Sequence, residues 1–520
     1  MTNLQTFGLF PFVPKAGARV YRVGQGGLWK KISIAFVFCL AAAIASPAQK
    51  LTTLVSFDGS NGAQPYLMSL VQGTDGNFYG TTTGGPSGFC VAAGFVGCGT
   101  VFKITPKGTL TTLYSFCSQA NCTDGYYPYA SLVQGTDGNF YGTTYAGGAS
   151  SACGGIECGT VFKITPGGTL TTLHSFELTD GSGPAAGLVQ GTNGNFYGTT
   201  LFGGASSACG GTDCGTVFKI TAEGKLTTLH SFDATDGAYP YAGLVQGTDG
   251  NFYGATSLAG PNDVDVGTVF KITPQGMLTT LFGLEFPDGA YPWGGLVQAA
   301  SGNFYGTTTQ DGINNDGTVF TITPKGELTV LHSFDGTDGF YASDALVQAT
   351  DGNFYGTTTA GGASGYCVAG CGTLFKMTPK GTLTTLYSFC TAAGCPDGEF
   401  PYGGLVQGTD GNFYGTTYDG GASSACGASG CGTVFSLSVG LGPFVKTNPT
   451  SGKVGAKVTI LGNGLTGATS VTFNGTAATF TAVRNSEITT TVPAGATTGT
   501  VEVTAPKGML KSNLPFRVTP

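Results

Sequence analysis

The chain has 520 residues, of which 10% are charged and 90 are glycine, against a charged share of about 25% in typical soluble domains. Low charge combined with 41% hydrophobic residues excludes intrinsic disorder and favours an all-β protein, because β-branched and aromatic residues suit strands. The net charge is −7 and no basic cluster occurs beyond the N-terminal segment, which argues against nucleic-acid binding.

Residues 1–48 are predicted to be an export signal with an extended N-terminal region. Lys30 and Lys31 precede an apolar run from Ile32 to Ile44, and small residues follow as far as Ala48. The run is shorter than the roughly 20 residues that span a bilayer as a helix, and it suits the apolar segment of a secretory signal. A membrane anchor is the alternative. Without this segment the chain has 17 Lys and Arg against 29 Asp and Glu, a net charge of −12. We expect a secreted, cell-surface or periplasmic protein with no transmembrane helix in the mature chain.

The motif LVQGTDGNFYGTT, from Leu70 to Thr82, is the first of seven near-copies spaced by 50 to 62 residues. Each unit contains four short strand-like runs, for example SLVQGT, NFYGTT, GTVFKIT and TLTTLHSF. Turn signals such as TDGN and TPGG separate them. Four antiparallel strands in a unit of this length predict one blade of a β-propeller. The other six copies begin at Leu132, Leu188, Leu244, Leu296, Leu346 and Leu405.

The number of strands predicts how the ring closes. The GTVF-type run occurs seven times, and no LTTL run follows the last copy at Gly432. An isolated LTTLVSF run, Leu51–Phe57, stands before the first full unit. We therefore predict a seven-bladed propeller over residues 49–440 in which this N-terminal run is the outermost strand of the last blade. Phe78, Tyr79 and their equivalents are predicted to pack in the core and between blades.

Fourteen cysteines follow Cys39 and stand in local pairs. Five pairs lie in the loop between the second and third strands, two lie in the loop after the fourth, and no loop contains a single cysteine. In an exported protein this pattern predicts seven disulfides. A zinc ion shared by pairs on adjacent blades is the alternative, because one loop offers only two of four thiolates. The pairs are Cys90/Cys98, Cys117/Cys122, Cys153/Cys158, Cys209/Cys214, Cys367/Cys371, Cys390/Cys395 and Cys426/Cys431.

The cysteine-bearing loops are predicted to share one face of the ring, because successive strands run in opposite directions. Long loops on a rigid scaffold are where function concentrates. Four aromatic residues lie three positions before the LVQ leucine of their unit, and they are the candidate ligand-binding residues because such rings stack on sugars or seat peptides. The alternative is that they close the entrance of the ring or pack between blades. They are Tyr129, Tyr241, Trp293 and Tyr402.

A catalytic group must break the repeat symmetry, and the histidines do not. His174, His230 and His332 occupy one position of the fourth strand where other copies have Val, Tyr or Phe, so they are predicted to be strand-surface residues. The recurring Asp-Gly acids are predicted to form turns. No catalytic residue is predicted.

Five acids do break the symmetry: Asp263, Asp265, Asp311, Asp316 and Asp344. Oxygen-rich loops suit Ca²⁺, so the first four are weak calcium candidates, and no other cofactor is expected. Paired carboxylates can also hydrolyse glycosides at a suitable separation. Polar loops that replace a lost disulfide are the simpler interpretation.

Residues 443–520 lack the repeat and read as short alternating strands, which predicts a small β-sandwich. The segments PTSGKVGAKVTILGNGL, VTFNGTAATF, ITTTVPAGATTGTVEVT and SNLPFRV resemble the IPT/TIG family of immunoglobulin-like domains. The seven-fold unit LVQGTDGNFYGTT…GTVFKITPxGxLTTLxSF resembles the GloVer tandem-repeat family (Gloeobacter–Verrucomicrobia type) over about residues 50–440. That resemblance implies export and a propeller-like array. It implies no activity.

Three hypotheses follow. The leading one is an exported bacterial propeller, not an enzyme, that binds a carbohydrate or a cell-surface component on its disulfide-braced loop face. The second is a carbohydrate-active enzyme that uses loop carboxylates. The third is a structural or adhesive protein of the extracellular matrix.

Overall fold

A computed structural model describes residues 49–520 except 87–89, 91–96, 151, 153–157, 207, 210–213, 261–265 and 428. The predicted export signal lies outside the described residues. Within them the chain is all-β, apart from a short 3-10 turn at Ala120–Cys122. No described helix has the length and apolarity needed to cross a membrane.

Seven four-stranded antiparallel sheets follow one another between residues 50 and 438 of the described chain, and we number them 1 to 7 in chain order. The first strands are Val71–Gln72, Val133–Gln134, Val189–Gln190, Val245–Gln246, Val297–Gln298, Val347–Gln348 and Val406–Gln407. The second strands are Phe78–Thr82, Phe140–Thr144, Phe196–Thr200, Phe252–Thr256, Phe304–Thr307, Phe354–Thr358 and Phe413–Thr417.

The third strands are Thr100–Ile104, Thr160–Ile164, Thr216–Ile220, Thr268–Ile272, Thr318–Ile322, Thr373–Met377 and Thr433–Ser438. The fourth strands of sheets 1 to 6 are Leu110–Ser115, Leu170–Ser175, Leu226–Ser231, Leu278–Gly283, Leu328–Ser333 and Leu383–Ser388. In sheet 7 the fourth place is taken by the N-terminal strand Lys50–Ser56, which pairs antiparallel with Thr433–Ser438. The two ends of the repeat region therefore share one sheet, as the strand count predicts.

The Phe-Tyr pair of the repeat joins each sheet to the next. The tyrosine of one sheet packs on the phenylalanine of the following sheet, with ring centroids 3.9 to 4.2 Å apart. The series closes, because Tyr414 of sheet 7 packs on Phe78 of sheet 1 at 4.0 Å. The second strands are buried throughout, in agreement with the predicted packing role. Sheets repeated and joined in this way fit a propeller-like fold.

The glutamine of the LVQ motif forms a second closed series. Its side-chain carbonyl accepts a hydrogen bond from a backbone N–H in the TDGN-type turn of the preceding sheet, at 2.9 to 3.1 Å. The last of these bonds runs from Thr409 of sheet 7 to Gln72 of sheet 1. Hydrogen bonding thus explains why every copy of the repeat has a polar residue at the end of its first strand.

The C-terminal strands form two four-stranded sheets and a parallel pair. One sheet has the order Lys446–Asn448, Lys457–Leu461, Glu487–Thr491, Phe480–Arg484, and the other has Thr476–Ala477, Ser470–Phe473, Val501–Ala505, Gly508–Lys511. The parallel pair is Ser451–Lys453 with Arg517–Thr519. Alternate residues of both sheets share one apolar core, including Ile460 and Ile488 from one and Phe473 and Val503 from the other.

This C-terminal region rests on the face of the repeat region that carries the short turns. Ser486 Oγ donates to the Thr74 carbonyl at 2.9 Å, and Asn463 Nδ2 donates to Thr409 Oγ1 at 3.1 Å. The Lys446 ammonium donates to the Gln407 carbonyl, and its partial burial lowers the pKa of Lys446 to about 8. The short-turn face is therefore covered in part over sheets 7 and 1.

We predict that the N-terminal strand is needed to complete sheet 7. Deleting residues 1–57 removes this strand and Phe57, a fully buried side chain whose ring lies 5.3 Å from that of Phe102. Loss of a buried Phe alone costs about 3–5 kcal/mol, and deletion also exposes the edge of Thr433–Ser438. Deleting residues 1–48 leaves the strand intact and is the matched control. Urea unfolding of both proteins checks this, and equal midpoints would contradict it.

Candidate functional site

The long loops of adjacent sheets are joined to each other. In each case the loop after the fourth strand forms an antiparallel bridge with the second-to-third-strand loop of the next sheet, for example Tyr126 with Ala146 and Glu399 with Asp419. Ala63, which follows the N-terminal strand, pairs with Gly84 in the same way. We call the surface that these loops form the long-loop face. Its loops are held in register by the scaffold, which suits a binding surface.

A connected group of tyrosines lies on this face, and we call it the tyrosine cluster: Tyr66, Tyr129, Tyr145, Tyr402 and Tyr418. Tyr66 is central, with ring centroids 5.4 Å from Tyr129, 4.9 Å from Tyr402 and 5.7 Å from Tyr418. Tyr129 also packs on Tyr145 at 4.9 Å. Contributions from sheets 7, 1 and 2 therefore meet in one aromatic surface.

The other two predicted aromatics stack on each other, and Tyr241 also lies close enough to Tyr66 to raise its pKa. Tyr241 and Trp293 are stacked with ring centroids 5.3 Å apart and an interplanar angle of 28°. Both are half-buried, whereas Tyr129 is only 5% exposed. Trp293 and Tyr241 thus offer more open ring surface than Tyr129, which packs beneath its neighbours.

The phenol groups of this face are neutral donors. Burial raises the pKa of Tyr241 and of Tyr402 to about 12 and raises the pKa of Tyr66 further. The hydroxyls of Tyr66, Tyr241, Tyr402 and Tyr418 make no hydrogen bond within the described part of the chain, and all four residues are half-buried. They are therefore available to a polar ligand, since a buried phenol normally finds a partner.

Two acids that were not predicted from the sequence lie beside the tyrosine cluster. Glu399 and Asp419 face each other across a backbone bridge, with N–H to carbonyl distances of 3.0 and 3.2 Å. Burial, and then the neighbouring Asp397, raise the pKa of Glu399. Burial, and then Glu399, raise the pKa of Asp419 to about 7, and one of its carboxylate oxygens is buried without a hydrogen-bond partner.

Comparison of the seven repeats shows that these two acids are unusual at their positions. The other six copies have Ala, Tyr, Ser, Ala, Ala and Phe at the Glu399 position, and Gly, Ala, Phe, Leu, Gln and Ala at the Asp419 position. Both acids therefore break the symmetry as strongly as the five acids named from the sequence. The variable lengths of the loops hide the correspondence until the backbone bridges reveal which positions are equivalent.

Asp344 joins three sheets at the centre of the long-loop face. This half-buried carboxylate lies just before the first strand of sheet 6. It accepts hydrogen bonds from the backbone N–H of Gly404 in sheet 7 and of Ala345, and one from Ser69 Oγ, in sheet 1, at 3.0 Å. Burial raises the pKa of Asp344 to about 6, although these donors partly offset it. The three donors make Asp344 a closing contact of the ring.

The four calcium candidates are not brought together by the described structure. Asp263 and Asp265 lie outside the described residues. Asp311 and Asp316 belong to one loop of sheet 5, and neither joins a described group of three potential metal ligands. Burial, and then Asp335 and Asp338, raise the pKa of Asp316.

The histidines have a structural partner in their own loop. The ring Nε2 atoms of His174, His230 and His332 lie 2.7 to 2.9 Å from the Asp-Gly acids Asp180, Asp236 and Asp338. At the same strand position Tyr114 and Tyr387 donate their hydroxyls to Asp124 and Asp397 at 2.8 Å. His and Tyr interchange because each forms a hydrogen bond with the equivalent aspartate of its own unit. These aspartates therefore do more than form turns.

The described cysteines lie in disulfides. Six pairs have both partners described: Cys90–Cys98, Cys117–Cys122, Cys209–Cys214, Cys367–Cys371, Cys390–Cys395 and Cys426–Cys431. Cys158 is also disulfide-bonded, and its predicted partner Cys153 lies outside the described residues. All the described pairs are on the long-loop face.

The repeat region matches the model of a known protein family. A model described as the Gloeobacter/Verrucomicrobia repeat matches residues 41–266 and 247–481, well over half of the chain. The chain belongs to the Gloeobacter/Verrucomicrobia repeat family. No curated protein sequence matches this member of the family.

Solved structures resemble this family member in fold. A fungal alcohol oxidase of the AA5 family, in complex with copper, is 14% identical and aligns over 91% of this chain and 99% of its own, with a TM-score of 0.52. A putative 6-phosphogluconolactonase from Bacteroides uniformis is 18% identical over 61% of this chain and 87% of its own, with a TM-score of 0.38. A putative gluconolactonase is 12% identical over 65% and 93%, with a TM-score of 0.33. At these identities the likeness concerns the fold alone, and only the first of the three is close enough to support it.

We predict that the charge on Asp419 destabilises the folded protein at and above neutral pH. Because the folded pKa of about 7 exceeds the usual 3.8, stability is lost as the pH rises from about 4 through 7. Asp419→Asn removes the charge, so the free energy of unfolding at pH 8 should rise, by up to about 4 kcal/mol. The advantage of Asp419→Asn should shrink as the pH falls toward 4 and vanish well below 3.8, where the carboxyl is protonated in the folded and the unfolded protein.

Asp249→Asn is the control with the opposite sign. Burial raises the pKa of Asp249, but hydrogen bonds from Asn251 and Tyr253 more than offset it and hold that pKa below its usual value. This substitution should lower the free energy of unfolding at pH 8. Denaturant titrations at pH 4 and pH 8 measure both variants, and destabilisation by Asp419→Asn at pH 8 would contradict the prediction.

Proposed function

We propose that this protein is an exported ligand-binding propeller, not an enzyme, whose seven sheets are seven blades and whose C-terminal region is an immunoglobulin-like domain of the IPT/TIG type. The ligand is a carbohydrate or a carbohydrate-bearing component of a cell surface, and it binds the long-loop face. Export from the cell through residues 1–48 agrees with the many disulfides, which persist in oxidising compartments.

The observation that carries the proposal is the Tyr241–Trp293 pair beside the tyrosine cluster. Trp and Tyr rings stack on the apolar faces of sugars, and their polar groups hydrogen-bond the hydroxyls. The free hydroxyls of Tyr66, Tyr241 and Tyr402 supply such donors. Tyr241 and Trp293 would make the ring contacts, while Tyr129 and Tyr402 would shape the surface beside them.

The position of the C-terminal domain favours the same face. Its contacts through Ser486, Asn463 and Lys446 occupy the short-turn face over sheets 7 and 1. The long-loop face stays open on the other side of the ring. The domain would act as a spacer or a second contact.

Glu399 and Asp419 support a second candidate, a carbohydrate-active enzyme. The pKa of Asp419, about 7, is the kind expected of a general acid near neutral pH, and the pKa of Glu399 is raised in the same direction. Copper chemistry like that of the fungal oxidase is not favoured, because imidazole suits copper and the three histidines lie on three different sheets, each bonded to its own aspartate.

We predict that the protein is retained on at least one member of a panel of insoluble polysaccharides. Trp293→Ala and Tyr241→Ala should each weaken retention by up to about tenfold, since an aromatic contact contributes about 0.5–1.5 kcal/mol beyond its buried area. Met277→Ala is the control, because Met277 is 72% exposed in a short turn on the opposite face. Released sugar is assayed in the same supernatants.

The outcomes separate the two candidates. Retention that depends on Trp293 and Tyr241 with no sugar released supports the binding protein. Sugar release that Asp419→Asn abolishes supports the enzyme. The carbohydrate proposal would be contradicted if both aromatic variants are retained as well as the unaltered protein, or if the protein is retained on no polysaccharide.

A further inference from the structure

We infer that the four cysteines of sheet 6, together with Glu399, form a binding site for a thiophilic divalent cation such as Zn²⁺ when the cysteines are reduced. This inference does not depend on the carbohydrate proposal. It starts from a juxtaposition that the sequence did not predict. Zinc shared between adjacent blades was the expected alternative, but the loops that meet belong to one and the same sheet.

The geometry brings enough ligand atoms together. The Sγ atoms of Cys367, Cys371 and Cys390 and a carboxylate oxygen of Glu399 all lie within 4.8 Å of one another. Glu399 Oε2 is 3.0 Å from Cys367 Sγ and 3.5 Å from Cys395 Sγ. Four ligands 2.0 to 2.3 Å from a tetrahedral Zn²⁺ are about 3.3–3.8 Å apart, so small side-chain movements suffice.

The spacing of the cysteines agrees with a metal site. Three residues separate Cys367 from Cys371, 18 separate Cys371 from Cys390, and four separate Cys390 from Cys395. Two close pairs separated by about 15–20 residues are typical of zinc sites. Each loop alone supplies two thiolates, and the fold places both loops on the same side of sheet 6.

Sheet 1 repeats the cysteine arrangement, with Tyr126 at the position of Glu399. Cys98, Cys117 and Cys122 have the same spacings of 18 and four residues, and the Sγ atoms of Cys90, Cys98 and Cys117 lie within 4.8 Å of one another. Sheets 3 and 7 have one pair only, Cys209–Cys214 and Cys426–Cys431. The chain therefore offers single-pair loops as internal controls.

Disulfides and metal binding exclude each other at this site. Each disulfide takes up two electrons and two protons from a phosphine or dithiol reductant, and two thiols result. The cation then displaces the protons of the thiols that bind it, since the thiolate is the ligand. In the oxidised protein the site contains two disulfide bonds, and in the reduced protein it binds the cation.

The test is an anaerobic titration of the purified protein with Co²⁺ after reduction by a phosphine, followed by thiolate-to-cobalt charge-transfer absorption. Reduced protein should bind Co²⁺ and release it to Zn²⁺, and oxidised protein should show no such band. Cys390→Ser with Cys395→Ser should lower the bound Co²⁺ by one equivalent. Cys426→Ser with Cys431→Ser should leave it unchanged.

Glu399→Gln keeps the inference testable if the double variant fails to fold. Loss of a carboxylate ligand should weaken Co²⁺ binding at least about tenfold with no change in the number of titratable thiols. The inference would be overturned if the reduced protein shows no charge-transfer band. It would also be overturned if Cys426→Ser with Cys431→Ser weakens the band as much as Cys390→Ser with Cys395→Ser does.

Discussion

The rest of the structure depends on the contact between the tyrosine of one sheet and the phenylalanine of the next. Seven such contacts, all near 4 Å, form a closed series in which Tyr414 meets Phe78. Each contributes about 0.5–1.5 kcal/mol beyond its buried area. Closure also requires that the last sheet be complete, and the strand Lys50–Ser56 supplies its fourth member. The glutamine series reinforces the same joints by hydrogen bonds that pass from sheet to sheet.

The contacts between neighbouring sheets are made by the second strands and the short turns. The long loops can therefore differ in sequence from one sheet to the next. They still meet in fixed pairs, so substitutions in them change the chemistry of one face without disturbing the ring. Aromatic residues accumulate at sheets 7, 1 and 2 and at the Tyr241–Trp293 pair, acids at Glu399 and Asp419, and cysteines in sheets 1 and 6. The short-turn face, which is covered in part, lacks this diversity, and for this reason we place ligand binding on the long-loop face.

The repeat made much of this predictable. Seven copies of one strand pattern indicate the sheets, and the isolated run at Leu51–Phe57 indicates how the seventh is completed, because an unpaired edge is costly. Contacts between loops were not predictable in the same way. Glu399 meets Asp419, and Cys371 meets Cys390, only after folding brings separate loops of variable length together. The burial of Tyr129 was likewise hidden, since its neighbours Tyr66 and Tyr145 come from other segments.

The central claim is that ligands contact the Tyr241–Trp293 pair, and the chain contains a reporter for it. Its two tryptophans are Trp29 and Trp293, so the variant that lacks residues 1–48 has tryptophan fluorescence from Trp293 alone. We would titrate that variant with soluble oligosaccharides of the polysaccharides that retain the protein. We expect a saturable change in the intensity or wavelength of the emission, lost in Tyr241→Ala. Emission that stays constant while the protein is retained would show that the ligand binds elsewhere.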